Sequence, residues 1–263
     1  MYQPLPDVGV DQISPFLLLH HHGPHVFEPY NQGLPFGPHP HRGFETLTFI
    51  FEGEIEHADS QGFKSVIKDG GVQWMTAGRG IVHSENLSAN QRENGGPMEI
   101  IQLWMNLPAA QKMTAANYQG FQKSEIPLVI TEEGKVEVSV ISGDFQGQKG
   151  VANSITGLEF LNIKIAKDGK LNLSVPIEKN ILLYVLDGEV KVNSKLVIGT
   201  QLVQFEGEGE SIELLADADT RLIFGTGTPI NEPMVAQGPF VMNTTTEIMQ
   251  AMRDYQMGKM GIM

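Results

Sequence analysis

Residues 37–45 read Gly-Pro-His-Pro-His-Arg-Gly-Phe-Glu, and residues 77–85 read Ala-Gly-Arg-Gly-Ile-Val-His-Ser-Glu. In an extended segment, side chains at positions i and i+2 point to the same side, with their Cα atoms about 6.6 Å apart. Each stretch can therefore direct two side chains at one point. Three imidazoles and one carboxylate suit a divalent ion such as Fe, Ni, Cu, Zn or Mn, and leave positions for a substrate or oxygen. The predicted ligands are His39, His41, His83 and Glu85.

A second carboxylate competes for the oxygen position among these ligands. Glu45 lies four residues beyond His41, which corresponds to about 13 Å in an extended chain. An ion with ligand bonds of about 2 Å spans that distance only if a bulge at Gly43 shortens the path. Glu85 needs no such bulge, because it lies two residues from His83 on the same face. We therefore predict Glu85 as the ligand and Glu45 as a neighbouring pocket group.

Apolar stretches separated by glycine-containing turns recur along most of the chain. Residues 46–51, 136–141 and 181–186 are apolar or alternating, and each is followed within two residues by glycine. Such strand and turn signals at short intervals predict an all-β protein built from barrels or sandwiches. The odd positions 47, 49 and 51 are an even number of residues from His39 and His41. We therefore expect their side chains to face the same barrel interior as the two histidines, unless Gly43 shifts the register.

An internal repeat indicates two such barrels in tandem. Residues 49–55 resemble residues 184–190 at an offset of 135 (184 − 49), and Gly80 recurs as Gly209 at an offset of 129 (209 − 80). A difference in loop length explains the change of offset, so we interpret the pattern as a duplicated fold. The four ligand positions project onto Ser174, Pro176, Ile212 and Leu214. None of these is a metal ligand, which predicts one ion per chain, in the first barrel.

The domain boundary is predicted where the apolar pattern is interrupted near Gly134. Residues 1–133 then form a metal-binding domain, and residues 134–263 form a second barrel without metal ligands that ends in a helix. A threonine cap followed by glutamate three residues later predicts this C-terminal helix over residues 244–257. Its expected apolar stripe consists of Ile248, Met252 and Tyr255. A second helix is predicted near residues 108–118, as a connection between the barrels.

Composition and charge exclude several classes of protein. Hydrophobic residues make up 41% of the 263 residues, which excludes a disordered chain, and no apolar run approaches the roughly 18 residues that cross a bilayer. The first seven residues lack the pattern of a signal peptide, so we expect a cytoplasmic protein. Cysteine is absent, which removes disulfides and thiolate catalysis. The net charge of -13 repels phosphate backbones and argues against direct nucleic-acid binding.

Three consecutive histidines, at positions 20 to 22, form a second cluster of potential metal ligands. Alternation along an extended chain allows only His20 and His22 to share a side. We therefore predict that this segment contributes to a loop and does not form a second metal site.

Three stretches resemble the pirin family within the cupin fold: residues 39–46, residues 73–80 and residues 237–244. The likeness spans both ends of the chain. The general cupin motif usually has proline where this chain has Thr76, and it places two fewer residues before His83. Both differences from the general cupin motif resemble the pattern of the pirin family.

The resemblance implies an all-β fold of two tandem cupin domains, which are jelly-roll β-barrels, with a C-terminal helix. It also implies that the glutamate of the second motif, Glu85, binds the metal. Fe(II) is the first choice of ion, with Ni, Cu, Zn or Mn as alternatives.

Two functions are implied by the same resemblance. The first is a metal-dependent dioxygenase similar to quercetin 2,3-dioxygenases, with a flavonol-like aromatic compound and O2 as substrates and Glu85 as the general base. Arg42 and Arg79, next to the ligands in sequence, would stabilise an anionic substrate or form structural salt bridges. The alternative is a non-enzymatic, metal-gated regulator whose protein partner is a transcription factor or a metabolic enzyme.

Overall fold

The computed structural model describes residues 1–263, and β-strands dominate it. The chain divides into two compact units. Unit 1 contains Met1–Val8, Phe16–Lys123 and Ile230–Met263, and unit 2 contains Gly9–Pro15 and Ser124–Pro229. The prediction of an all-β chain with a C-terminal helix is confirmed.

The N-terminal part of the chain supplies ten strands and one short helix to unit 1. Their bounds are β1 Tyr2–Leu5, β2 Phe16–Phe27, β3 His39–His41, β4 Phe44–Glu52, β5 Glu54–Asp59, β6 Lys64–Lys68, β7 Val72–Thr76, β8 Ile81–Leu87, α1 Ala89–Asn94, β9 Gly96–Asn106 and β10 Asn117–Phe121. A six-stranded sheet has the order β1-β2-β9-β4-β7-β10, and a four-stranded sheet has the order β3-β8-β5-β6. All strand pairs within these two sheets are antiparallel.

Unit 2 repeats this arrangement with twelve strands. Their bounds are β11 Leu128–Thr131, β12 Val136–Ser142, β13 Asp144–Phe145, β14 Gln148–Lys149, β15 Glu159–Ile165, β16 Lys170–Ser174, β17 Asn180–Asp187, β18 Glu189–Val192, β19 Lys195–Ile198, β20 Gln201–Val203, β21 Ser211–Ala216 and β22 Thr220–Gly227. Its large sheets have the orders β11-β12-β15-β22-β17-β20 and β16-β21-β18-β19, so the four-stranded sheet matches that of unit 1 strand for strand. The predicted duplication is therefore visible in the topology.

The last part of the chain returns to unit 1. It contains β23 Val235–Gln237, β24 Phe240–Met242 and α2 Thr245–Gln256. Phe240, Met242 and Ile248 form one buried cluster with Val82 of β8. Because this apolar packing holds the C-terminal helix on the first barrel, the compact units differ from the predicted domains of residues 1–133 and 134–263. Unit 1 also gives way to unit 2 after Lys123 rather than after residue 133.

The predicted cap of the C-terminal helix is present, but its buried face is different. Thr244 and Glu247 form the capping box. The buried residues are Ile248, Ala251 and Asp254, whereas Tyr255, which was expected in the stripe, is exposed.

The second predicted helix, near residues 108–118, is wrong. The segment forms successive turns and then enters β10. Lys112 explains this outcome, because its ammonium is buried and donates hydrogen bonds to the carbonyls of Gly43 and Val241 and to Oδ1 of Asn106, at 2.8, 2.9 and 2.5 Å. These three hydrogen bonds anchor the segment in its turn conformation, because they satisfy acceptors that lie outside it.

The prediction that the odd positions of β4 face the barrel interior with the histidines is also wrong. Thr48 donates a hydrogen bond to Glu85 of the opposite sheet, and Ile50 packs with Ile55 and Leu87 there, so the even positions face the interior. Gly43 causes the change, since its φ of 88° breaks the extended path between β3 and β4. A side chain at this position would collide with the Val241 carbonyl.

Replacing Lys112 with methionine should destabilise the protein by about 3 kcal/mol, because three oxygen atoms each lose the hydrogen bond from the ammonium while the apolar stem is kept. Urea unfolding followed by circular dichroism measures this change. The matched control is Lys123→Met, which removes an exposed ammonium. Equal unfolding midpoints for the two variants would contradict the structural role of Lys112.

Candidate metal centre

Antiparallel pairing of β3 with β8 assembles the histidine cluster. The pairing places His39 directly opposite His83, and His41 lies two residues along β3 on the same side. The ligand nitrogens of these three side chains all lie within 4.8 Å of one another. The Nε2 atoms of His39 and His41 are 3.1 Å apart, so their lone pairs point at nearly the same position. The sequence prediction that the two motifs converge is met by the three histidines.

Two of the three imidazoles, those of His41 and His83, have the protonation state that a metal site requires. Burial, and then the neighbouring His39 ring, lowers the pKa of His41 to about 3. Burial and the adjacent histidines also hold the pKa of His83 well below its ordinary value. Both rings are therefore neutral at pH 7, and a neutral imidazole offers a free lone pair.

Hydrogen bonding also leaves the required nitrogen atoms available. His39 uses Nδ1 to donate a 2.8 Å bond to the Gly37 carbonyl, which leaves Nε2 as the lone-pair donor toward the cluster. Neither ring nitrogen of the buried His83 has a hydrogen-bond partner. A buried nitrogen without a partner is costly unless a ligand satisfies it, so these three residues fit a divalent metal ion.

Glu85 lies on β8 next to the cluster, but the structure does not bring its carboxylate into the 4.8 Å group. Its Oε2 accepts a 2.7 Å hydrogen bond from Nε2 of Gln102, and its Oε1 accepts bonds from Nε2 of Gln73 and, at 3.5 Å, from Thr48. Burial raises the pKa of Glu85 to about 7, although these three hydrogen bonds oppose the increase. The carboxylate is thus a buried proton acceptor beside three imidazoles, and its role as the fourth ligand stays a prediction.

Glu45, the competing carboxylate, lies on the other face of the six-stranded sheet. The pairing of β4 with β7 has no bulge between Glu45 and Phe49. Glu45 and Thr48 are three residues apart in this regular stretch, so their side chains point to opposite faces of the sheet. Its Oε1 accepts a 2.6 Å hydrogen bond from Thr76, and its Oε2 is buried without a partner. Burial raises the pKa of this carboxyl to about 7. Because it faces away from Thr48 and Glu85, it does not line the histidine cluster.

The sequence interpretation missed four residues that surround the cluster. Gln73 and Gln102 form hydrogen bonds with the Glu85 carboxylate. The other two are the buried pair His57 and Asp59, in which Nε2 of His57 lies 3.1 Å from Oδ2 of Asp59. The His57 ring lies beside that of His83. The spacing of His57 and Asp59, two residues apart on one strand, is the same signal that identified the ligands. The two glutamines carry no comparable signal, because amides alternate with apolar residues in many strands.

Arg42 has a structural role in this centre. Its Nε donates a 2.6 Å bond to the Arg79 carbonyl, and its Nη1 forms a 2.9 Å ion pair with Asp254 of the C-terminal helix. The structural reading of Arg42 is therefore correct, whereas Arg79 has an exposed side chain.

The histidine triplet lies on β2 and alternates as expected. His21 is buried against Glu99, with 3.1 Å between Nε2 and Oε1, whereas the rings of His20 and His22 share a side at a centroid distance of 5.8 Å. These residues belong to a strand rather than to the predicted loop. They are not part of the one group of three potential metal ligands in the structure.

The equivalent positions in unit 2 are apolar. His39 pairs with His83 in unit 1, and Leu173 pairs with Ile212 in unit 2. By this register His39 corresponds to Leu173, one residue before the projected Ser174. Leu173, Val175, Ile212 and Leu214 all belong to one buried apolar cluster.

Comparisons with known proteins identify the family and the fold. The Pirin family model matches residues 2–105, and the model of the Pirin C-terminal cupin domain matches residues 160–261. A crystal structure of quercetin 2,3-dioxygenase from Acinetobacter baumannii superposes with a TM-score of 0.91 at 41% identity, over 97% of this chain and 89% of that one. The chain thus has the predicted two-cupin fold.

Two curated relatives extend the likeness. A pirin-like protein of Caulobacter vibrioides is 40% identical over 250 residues, which cover 94% of this chain and 87% of that protein. Pirin-1 of Arabidopsis thaliana is 37% identical over 261 residues, or 96% of this chain and 86% of its own length. In this chain, neither α-helix has the length and apolar character needed to span a bilayer.

The buried carboxyl of Glu45 should make stability fall as the pH rises. Its pKa is about 7 in the folded protein against an ordinary 4.5, so the folded state binds more protons between these values. The unfolding free energy should therefore decrease by about 3 kcal/mol from pH 4.5 to pH 7 through this group.

Glu45→Gln removes the titrating group and keeps an oxygen for Thr76. Compared with the parent, the variant should gain stability progressively as the pH rises from 5 to 8. Urea unfolding at several pH values measures the difference, with Glu137→Gln, an exposed site, as control. A difference that does not vary with pH would show that Glu45 does not titrate in this range.

Proposed function

The chain belongs to the pirin family, and from this premise we propose that it is a metal-dependent dioxygenase acting on a flavonol-like aromatic substrate. The observation that carries the proposal is the convergence of three imidazoles, those of His39, His41 and His83, at one point of the first barrel. The likeness to the quercetin 2,3-dioxygenase of Acinetobacter baumannii supports the same reaction.

The three histidines would hold one divalent ion per chain, and we propose Fe(II), with Ni, Cu, Zn or Mn as alternatives. Such an ion supplies Lewis-acid and redox chemistry toward a phenolic oxygen and O2. Glu85 is proposed as the fourth ligand, as predicted from its position two residues after His83. Metal analysis after anaerobic purification identifies the native ion.

Glu85 is also proposed as the general base. It is buried, its pKa is raised to about 7, and a carboxyl with such a pKa accepts a proton near neutral pH. It would take the proton of the substrate hydroxyl, and Gln73 and Gln102 would hold the carboxylate in place during this transfer.

Aromatic side chains beside the histidines suit a planar substrate. The ring of His41 lies 4.9 Å from that of Phe44 and 5.2 Å from that of Trp104. Trp104 is only partly buried, so part of its side chain is accessible. Offset stacking on such rings orients an aromatic ligand.

A second function, a metal-gated regulator of a transcription factor or a metabolic enzyme, has support from one contact. Arg42 follows the ligand His41 and pairs with Asp254 on the C-terminal helix, which links the ligand strand to that helix. The two functions differ in turnover, because a quercetinase consumes O2 and releases carbon monoxide while a regulator does neither.

A cytoplasmic location is also part of the proposal, because the lack of cysteine suits a reducing compartment.

Changing His41 to alanine should reduce metal content from about one ion per chain to nearly none, because the remaining two histidines form an incomplete site. Metal analysis of protein purified from the same medium measures this loss. His25→Ala, at an exposed residue of β2, is the control and should bind metal normally. A second tightly bound ion that survives loss of His39 and His41 would refute the single site.

Replacing Glu85 with glutamine should lower turnover by about 10² to 10⁴, because the amide keeps the shape but does not accept the proton. Oxygen consumption with flavonols on the Fe- or Cu-loaded protein measures the rate. Glu45→Gln should cost much less, since Glu45 faces away from the cluster. If the parent turns over no flavonol, the regulator replaces the enzyme as the better reading.

A further inference from the structure

Two glutamine amides hold the carboxylate of Glu85, and each amide contacts an aromatic donor on its other side. Gln73 directs Nε2 to Oε1 of Glu85, while its own Oε1 accepts a 3.3 Å bond from the Tyr118 hydroxyl. Gln102 directs Nε2 to Oε2 of Glu85, while its Oε1 accepts a 3.4 Å bond from the Trp104 indole. The arrangement is the same on both sides of the carboxylate.

The aromatic donors determine which end of each amide faces Glu85. An amide presents N–H donors at one end and an acceptor oxygen at the other, and rotation by half a turn exchanges them. The exchanged orientation would place oxygen against the carboxylate and nitrogen against a hydroxyl or indole N–H donor. A Trp N–H can only donate, so it selects the orientation that leaves Nε2 of Gln102 for Glu85.

The two aromatic side chains each contact a histidine ring of the first barrel. Tyr118 stacks on His57 at a centroid distance of 4.0 Å, and Ser65 lies 2.5 Å from its hydroxyl. Since that hydroxyl donates to Gln73, the Ser65 hydroxyl donates to Tyr118. Trp104 lies 5.2 Å from the ring of His41. Each chain of contacts therefore begins beside a histidine of the first barrel and ends on Glu85.

We propose that Tyr118 and Trp104 are positioning residues for the reaction, which act through Gln73 and Gln102 to fix the orientation of the Glu85 carboxylate. The inference rests on the proposed role of Glu85 as the base. With both oxygens facing N–H donors, the carboxylate is presented as an acceptor in one orientation. Loss of either aromatic donor frees one amide to rotate, and the carboxylate then loses its fixed position while the histidine ligands remain.

The test uses the full chain loaded with Zn(II), which is diamagnetic. Side-chain amide signals of Gln73 and Gln102 are assigned by their loss in Gln73→Met and Gln102→Met, and their hydrogen-exchange rates are measured by NMR. Tyr118→Phe removes only a hydroxyl and should accelerate exchange at Gln73 by about tenfold or more, with little effect at Gln102. Trp104→Phe should do the reverse. Tyr184→Phe, which removes a buried tyrosine hydroxyl in unit 2, is the matched control.

A kinetic measurement distinguishes positioning from a merely structural role. Tyr118→Phe should lower kcat by about 10- to 100-fold, leave KM within about threefold and keep the metal content of the parent. In the Gln73→Met background the same change should have almost no further effect on kcat, because Tyr118 acts through Gln73.

Each outcome decides one of the two proposals. Exchange rates at Gln73 and Gln102 that equal the parent's in both variants overturn the positioning role, whether or not the protein is an enzyme. A parent without turnover overturns the dioxygenase function, and exchange alone then decides whether the aromatic residues orient the amides. Accelerated exchange with an unchanged kcat in an active enzyme overturns the role of these residues in the reaction.

Discussion

The antiparallel pairing of β3 with β8 is the constraint on which the metal centre depends. β3 is only three residues long, and its register with β8 places His39 opposite His83. A shift of one residue would turn His41 away from the cluster, because alternate residues face opposite sides of a sheet. The register is therefore a chemical requirement as well as a structural one.

Several contacts outside the β3–β8 ladder keep this short strand in place. Arg42 pairs with the C-terminal helix through Asp254, and its backbone forms hydrogen bonds with Pro239 and Val241. Lys112 ties the Gly43 carbonyl to the same region. A strand of three residues has few ladder hydrogen bonds of its own, so these contacts supply the order that a longer strand would obtain from its neighbours. This explains why the last 34 residues (263 − 230 + 1) pack in unit 1 rather than with the second barrel that precedes them.

The two barrels show how one topology supports two different interiors. Positions that hold histidines in unit 1 hold Leu173, Val175 and Ile212 in unit 2, where they contribute to a continuous apolar core. Burying imidazoles and a carboxylate is costly unless a ligand satisfies them, whereas burying aliphatic side chains is favourable without one. The first barrel thus gives up part of its core stability for a binding site, and the second is free of that conflict.

The sequence by itself determined the all-β class, the duplication, the capped C-terminal helix and the three histidines, because each depends on local spacing along an extended chain or a helix. The tertiary structure decided the rest. The left-handed conformation of Gly43 changes which positions of β4 face the barrel interior, and the buried ammonium of Lys112 anchors turns where a helix was predicted. Gln73 and Gln102 come from β7 and β9 and meet at Glu85 only because those strands flank β4 in one sheet. Such meetings depend on strand order and on long-range hydrogen bonds, which the spacing of residues along the chain does not encode.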